Sequence, residues 1–164
     1  PAVALVPSAT WTAKAWPRSA WSELARRLRE IGVEVWVAWG PGEEAERDAI
    51  VRDGGAKALP PTGLRELAAW LGAMDLVVTT CSGPKHLAVS VGTPTLTLFG
   101  STDPRGWQPP GSRHRWLTNP VDCHPCNRRE CPVAGHPCLD GLSATKVLES
   151  AATMLVGAER KEEA

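Results

Sequence analysis

The stretch from Leu76 to Pro104, LVVTTCSGPKHLAVSVGTPTLTLFGSTDP, constrains the fold more than any other part of the chain. Leu76-Val77-Val78 is an apolar run of strand length, and Thr95-Leu96-Thr97-Leu98-Phe99 is a second, closed by Gly100. Between them, Ser82-Gly83-Pro84 carries three helix-start signals: a hydroxyl able to cap, a permissive glycine, and a proline suited to the first turn. Strand, polar turn, helix and strand in this order read as a parallel βαβ unit. A small hydroxyl-rich turn at the carboxyl end of its first strand is a place to hold phosphate. Free N–H groups at the helix start point at the anion, and the helix dipole favours negative charge.

The rest of the chain continues the alternation. Val3 to Val6 reads as the first strand and Val33 to Ala38 as the second, with Lys57-Ala58-Leu59 as a short third. Helices are expected over about 19–31, 43–53, 64–74 and 143–156. Apolar faces are predicted from Trp21, Leu24, Leu28 and Ile31, from Leu64, Leu67, Ala68 and Leu71, and from Val147, Leu148, Ala151 and Leu155. The expected fold is α/β: a Rossmann-like parallel sheet of about five strands, with about five helices on both faces. Beyond Pro104 the chain reads as loop-rich. In such sheets ligands bind outside the carboxyl ends of the strands. The polar loops 7–17, 40–44, 59–63, 79–86 and 100–104 all fall there.

With 164 residues the chain is long enough for one domain with a proper core. Its 18 basic and 18 acidic side chains give zero net charge, which argues against the basic footprint of a nucleic-acid binder. No apolar run spans a bilayer and no signal peptide is visible, so a cytoplasmic domain is expected. A strand that begins at Pro1 reads as a chain cut from something longer. Residues 157–164 read as a charged, frayed tail.

Three loops carry candidate chemistry. Thr10, Thr12 and Lys14 follow the first strand; a lysine there can neutralise phosphate, and hydroxyls can donate to phosphate or sugar oxygens. Glu43 and Glu44 follow Gly40-Pro41-Gly42, where a carboxylate can accept ribose hydroxyls or simply start a helix. Ser82, Gly83 and His86 form the phosphate turn.

Together, PSATWTAKAWP, WGPGEE and TTCSGPKHLAVSVGTPTLTLFGSTDP resemble the carboxyl-terminal half of the ADP-heptose:lipopolysaccharide heptosyltransferases of glycosyltransferase family 9, two-lobed enzymes of the GT-B type. The most specific parts are Lys14-Ala15-Trp16-Pro17, Ser82-Gly83-x-x-His86 and Phe99-Gly100-x-Thr102-Asp103-Pro104. The resemblance implies that residues 1–156 are the nucleotide-sugar donor-binding lobe, and that the amino-terminal acceptor lobe is absent from this chain. Thr10 and Lys14 would then contact the diphosphate, and Glu44 (or Glu43) the adenosine ribose. Thr62 would lie against the adenine, and Ser82, Gly83 and His86 would meet diphosphate and sugar.

The reaction implied is inverting transfer of heptose from ADP-heptose to the lipopolysaccharide inner core, without a metal for the diphosphate. The carboxylate proposed as catalytic base belongs to the other lobe, so no catalytic residue is assigned here and this half is expected to be inactive alone. The acceptor would be met through that missing lobe, at the inner face of a bacterial cytoplasmic membrane. The family usually has Asp at the position of Cys81, where this chain offers a thiol that accepts hydrogen bonds poorly. Two alternatives stay open. One is another GT-B transferase or sugar-nucleotide epimerase lobe using a UDP-sugar. The other is a non-catalytic nucleotide-sugar binding module.

Cys123, Cys126, Cys131 and Cys138 form C-x2-C-x4-C-x6-C in a loop at about 121–140. Four thiols this close can wrap one tetrahedral metal, a structural zinc, or ligate an iron–sulfur centre. Free thiols and disulfides are the other readings. In each case the cluster is expected to pin a long loop that has little apolar surface to bury.

Overall fold

A computed structural model describes residues 1–162. Six strands form one sheet in the order β3-β2-β1-β4-β5-β6. They are β1 (Ala2–Val6), β2 (Glu34–Val37), β3 (Lys57–Ala58), β4 (Leu76–Thr80), β5 (Thr95–Leu98) and β6 (His114–Leu117). Every pairing is parallel. The expected α/β sheet is therefore present, with one strand more than the sequence pattern gave. β6 is an edge strand of sequence HRWL, half-buried or exposed throughout. It lacks the apolar run that marks β1 and β4.

Seven helices accompany the sheet: α1 (Arg18–Glu30), α2 (Glu44–Gly54), α3 (Leu64–Gly72), α4 (Gly83–Ser90), α5 (Pro104–Trp107), α6 (Pro137–Asp140) and α7 (Ala144–Glu162). Side chains alternate across the strands, so β1, β2 and β4 feed two cores. Val3, Leu5, Val35, Val37, Leu76, Val78, Leu96 and Leu98 pack with Trp21, Leu24 and Leu28 of α1, Ile50 of α2, and Val147, Ala151 and Leu155 of α7. On the opposite face Ala4, Val6 and Val77 pack with Leu71 of α3 and Ala88 of α4. Helices thus cover both faces, as a parallel sheet requires.

Two predicted inward residues face solvent instead. Ile31 lies just past the end of α1, and Leu64 stands at the first position of α3. At helix ends the apolar stripe runs off the sheet. α7 continues through the stretch read as a frayed tail, to Glu162. Ala158 to Glu162 are strong helix formers, and residues 163–164 lie outside those described. Among the described residues no helix is long and apolar enough to cross a membrane.

Connections to β2 and β3 run on one face and those to β4 and β5 on the other. The strand order therefore reverses between β1 and β4. That reversal falls at the carboxyl ends of β1 and β4, the place where ligands bind in such sheets. Loop 7–17 and the turn Cys81-Ser82-Gly83 flank it.

Candidate functional site

The register Val6↔Thr79 brings the two loops to one edge. Thr80 Oγ1 donates to the Ser8 carbonyl at 2.6 Å and ties them together. Loop 7–17 contains one 3-10 turn, Thr12–Lys14. It is anchored by Trp16, whose buried indole N–H donates to the Leu142 carbonyl at 2.8 Å and whose ring meets Trp21 edge-on. The Lys14 ammonium lies 4.1 Å from the centre of the Trp11 ring. Thr10 is exposed beside it.

Ser82 is the N-cap of α4, with extended backbone and no capping hydrogen bond from its side chain. Its hydroxyl is buried and has no partner. Gly83 is exposed, and a Cβ there would meet nothing within 4 Å. The helix start is thus bare, with unpaired donors facing open space. His86, one turn in, is exposed. Burial, then the charge of Lys85, holds its pKa below the ordinary imidazole value, so it is mainly neutral at pH 7. Cys81 is buried, and its sulfur lies 3.5 Å from Lys85 Nζ.

Of the two acidic candidates, Glu43 turns inward. Its Oε2 accepts from the Ser8 hydroxyl and from the Gly40 N–H, both at 2.7 Å, which leaves Oε1 free to accept again. Glu44 opens α2 and is exposed. Glu43 and Thr12 also line an open groove of ≈ 690 Å³ against Trp16 and His136. That groove runs along the other flank of loop 7–17 and does not include Ser82, Gly83 or His86. Thr62 is half-buried in the loop after β3. No hydrogen bond among the described residues joins it to the other loops. β3 stands two strands out from β1, about 10 Å at ordinary spacing.

The cysteine loop packs on the same loops. Ala13 N–H donates to the Arg129 carbonyl at 3.1 Å, and the Ala13 carbonyl accepts from Ser101 N–H at 3.2 Å. His136 Nε2 lies 3.1 Å from that carbonyl, and Asn127 N–H donates to the Ser101 carbonyl at 2.7 Å. These bonds, none of them from a cysteine, tie residues 127–136 to the backbone just before Lys14. All four thiols are free, Cys138 buried and Cys123 exposed. Burial first, then the charges of Cys131, Cys123 and Cys126, pushes the Cys138 thiol up to about 11. The donor set suits zinc or iron. Among the described residues, however, no three His, Cys, Asp or Glu side chains are gathered into a ligating shell.

A sheet of order 3-2-1-4-5-6 with a bare, hydroxyl-rich helix start at its reversal has the elements that can hold a phosphate. The sequence profile of glycosyltransferase family 9 (heptosyltransferase) matches residues 1–136. The chain belongs to glycosyltransferase family 9. Lipopolysaccharide heptosyltransferase 1 of Pseudomonas aeruginosa is 36% identical over 124 residues, 74% of this chain and 35% of that protein. Lipopolysaccharide heptosyltransferase 3 of Escherichia coli is 30% identical over 139 residues, 80% of this chain and 38% of that protein.

Among solved structures, E. coli ADP-heptose lps heptosyltransferase II superposes with a TM-score of 0.79 at 23% identity, over 100% of this chain and 48% of that one. E. coli heptosyltransferase WaaC with ADP gives 0.76 at 24% identity, over 93% and 43%. The family 9 chain described here therefore has the fold of one lobe of these GT-B enzymes. It spans between 28% and 38% of the length of the curated relatives it matches.

Proposed function

We propose that this chain is the donor-binding lobe of a sugar transferase that takes heptose from ADP-heptose and delivers it to a lipopolysaccharide core acceptor held by a second lobe. The observation that carries the reading is the β1/β4 reversal, where the loop that bears Lys14 and the uncapped start of α4 are tied to one edge of the sheet by Thr80 and Ser8. The diphosphate sits against Ser82 and Gly83, with Lys14 as the mobile counter-charge. Glu43 Oε1 accepts from the adenosine ribose, and Thr62 marks the far end of the nucleotide. Thr10 and His86 reach the diphosphate and the sugar. During transfer the acceptor hydroxyl gives its proton to a base of the second lobe, its oxygen bonds to the anomeric carbon, the bond from that carbon to the phosphate oxygen breaks, and ADP leaves. The charge that grows on the departing phosphate is met by Lys14 and the α4 N–H groups.

The same reading puts the transfer in the cytoplasm, at the inner face of the cytoplasmic membrane. A structural zinc or iron centre is one expectation for the four loop thiols; their lack of a common shell among the described residues supports the free-thiol alternative instead. Metal analysis of anaerobically purified protein tests it: metal-free protein with four titratable loop thiols is expected, and about one zinc or iron per chain contradicts it. A thermal-shift panel tests the donor reading. ADP and ADP-heptose should stabilise the chain and UDP should not; stabilisation by UDP alone would replace the proposal with a UDP-sugar enzyme.

A further inference from the structure

Lys85 is the buried ionisable group that the donor reading leaves unused. It is the third residue of α4 and is fully buried. Its Nζ donates to the Trp107 carbonyl at 2.6 Å and lies 3.5 Å from Cys81 Sγ, one helical turn back. The centre of the Phe99 ring is 5.1 Å away. The ammonium is therefore folded toward the start of its own helix, behind the phosphate turn.

Burial is the largest cause that holds Lys85 below the ordinary lysine pKa; Cys81 acts the other way, through charge and hydrogen bonding, and Lys14, from the loop after β1, adds a smaller repulsive positive charge. His86 follows on α4 and is itself disfavoured as a cation by Lys85. Cys81 contributes a thiol, Phe99 a ring face and Trp107 a carbonyl. Neither lysine joins any ion pair among the described residues. A buried ammonium without a counter-ion is costly to keep. Unpartnered donors accumulate close by in the chain: Ser82 Oγ in the turn, Ser101 Oγ and Thr102 Oγ1 just past β5, and the Gln108 amide next to Trp107. Positive charge and idle donors on several segments ask for an anion.

We propose that Lys85 is a second cation of the diphosphate site, a positioning residue that acts from behind Cys81 to hold phosphate charge at the start of α4. The proposal rests on the donor reading above. The thiol is part of the device. A carboxylate at position 81 would pair with the ammonium and cancel it, whereas the Cys81 side chain offers only a weak acceptor at 3.5 Å and leaves more of its field to reach the crevice. Phosphate arriving at the crevice favours the protonated amine, so ADP binding should take up a proton at alkaline pH, and ADP affinity should fall as pH rises through that range.

The test is calorimetric titration of ADP in two buffers of different ionisation enthalpy, on the wild type, Lys85→Met and Cys81→Asp. The wild type should bind ADP with proton uptake that grows at alkaline pH. Lys85→Met should bind roughly tenfold more weakly and without that uptake, while adenosine binds both alike. Cys81→Asp should also weaken ADP, since its carboxylate takes the ammonium, and it keeps the idea testable if Lys85→Met does not fold. Wild-type ADP affinity or persistent proton uptake in Lys85→Met overturns the role of Lys85, as does undiminished affinity in Cys81→Asp. Failure of the wild type to bind ADP overturns the donor reading and this one with it.

Discussion

Replacing Gly83 with alanine separates what the phosphate turn does for folding from what it does for binding. Gly83 is the first residue of α4, its backbone lies outside the left-handed region, and an added Cβ meets no atom within 4 Å. Alanine therefore disturbs no contact. Its higher helix propensity adds at most about 1 kcal/mol, a Tm rise of no more than about 4 °C for a chain of this size. In a helix the Cα–Cβ bond tilts toward the amino terminus. The new methyl would project into the open space before the free N–H groups, where the phosphate is proposed to sit. A hydrogen bond to a charged group is worth about 1.5–3 kcal/mol, so losing one weakens ADP by roughly 10- to 100-fold. Thermal melts and ADP calorimetry on the same preparation read both effects. An equal or higher Tm with at least tenfold weaker ADP is the expected pair. Unchanged ADP affinity refutes the cradle, and a lowered Tm refutes the open space. Gly100→Ala is the converse control. Its Cβ would lie 2.5 Å from the Ala13 carbonyl oxygen and 2.6 Å from Leu139 Cδ1. Overpacking of this kind costs about 1–3 kcal/mol, so its Tm should fall.

Other predictions follow from single side chains. Glu43→Ala should lose about 1–2 kcal/mol in urea unfolding, because the Ser8 hydroxyl and Gly40 N–H lose their acceptor, and should weaken ADP. Glu44→Ala should leave both unchanged, and the opposite ranking contradicts the assignment of Glu43. Cys138 should be the slowest of the loop thiols to alkylate and the exposed Cys123 the fastest, as read by peptide mass spectrometry. Its thiol is raised from an ordinary 9.0 to about 11 by burial. The fold therefore favours the protonated form, and this contribution to stability is complete below pH 9 and is lost as pH rises toward 11. Cys138→Ala should flatten that part of the stability–pH curve.

Much of the fold is legible in the sequence because parallel strands buried on both faces read as apolar runs. β1, β4 and β5 announce themselves in this way, and Ser82-Gly83-Pro84 marks the start of α4. β6 is hidden because an edge strand with His114 and Arg115 needs no such run. The candidate site is legible as loops but not as side chains. Neighbouring glutamates cannot be told apart until the helix start fixes which one faces Ser8. Nothing in the local pattern marks Lys85 as a fully buried side chain. That the cysteine loop grips Ala13 rests on pairings more than a hundred residues apart, which no local pattern records.

The central claim is that the crevice between loop 7–17 and α4 holds the diphosphate of an ADP-linked donor, with Lys14 as its cation. Calorimetric titration of ADP and AMP into the wild type and Lys14→Ala tests it most directly. The account predicts saturable ADP binding, weaker AMP binding, and a loss of at least about tenfold for ADP in Lys14→Ala with little change for AMP. Equal ADP affinity in the two proteins would contradict it.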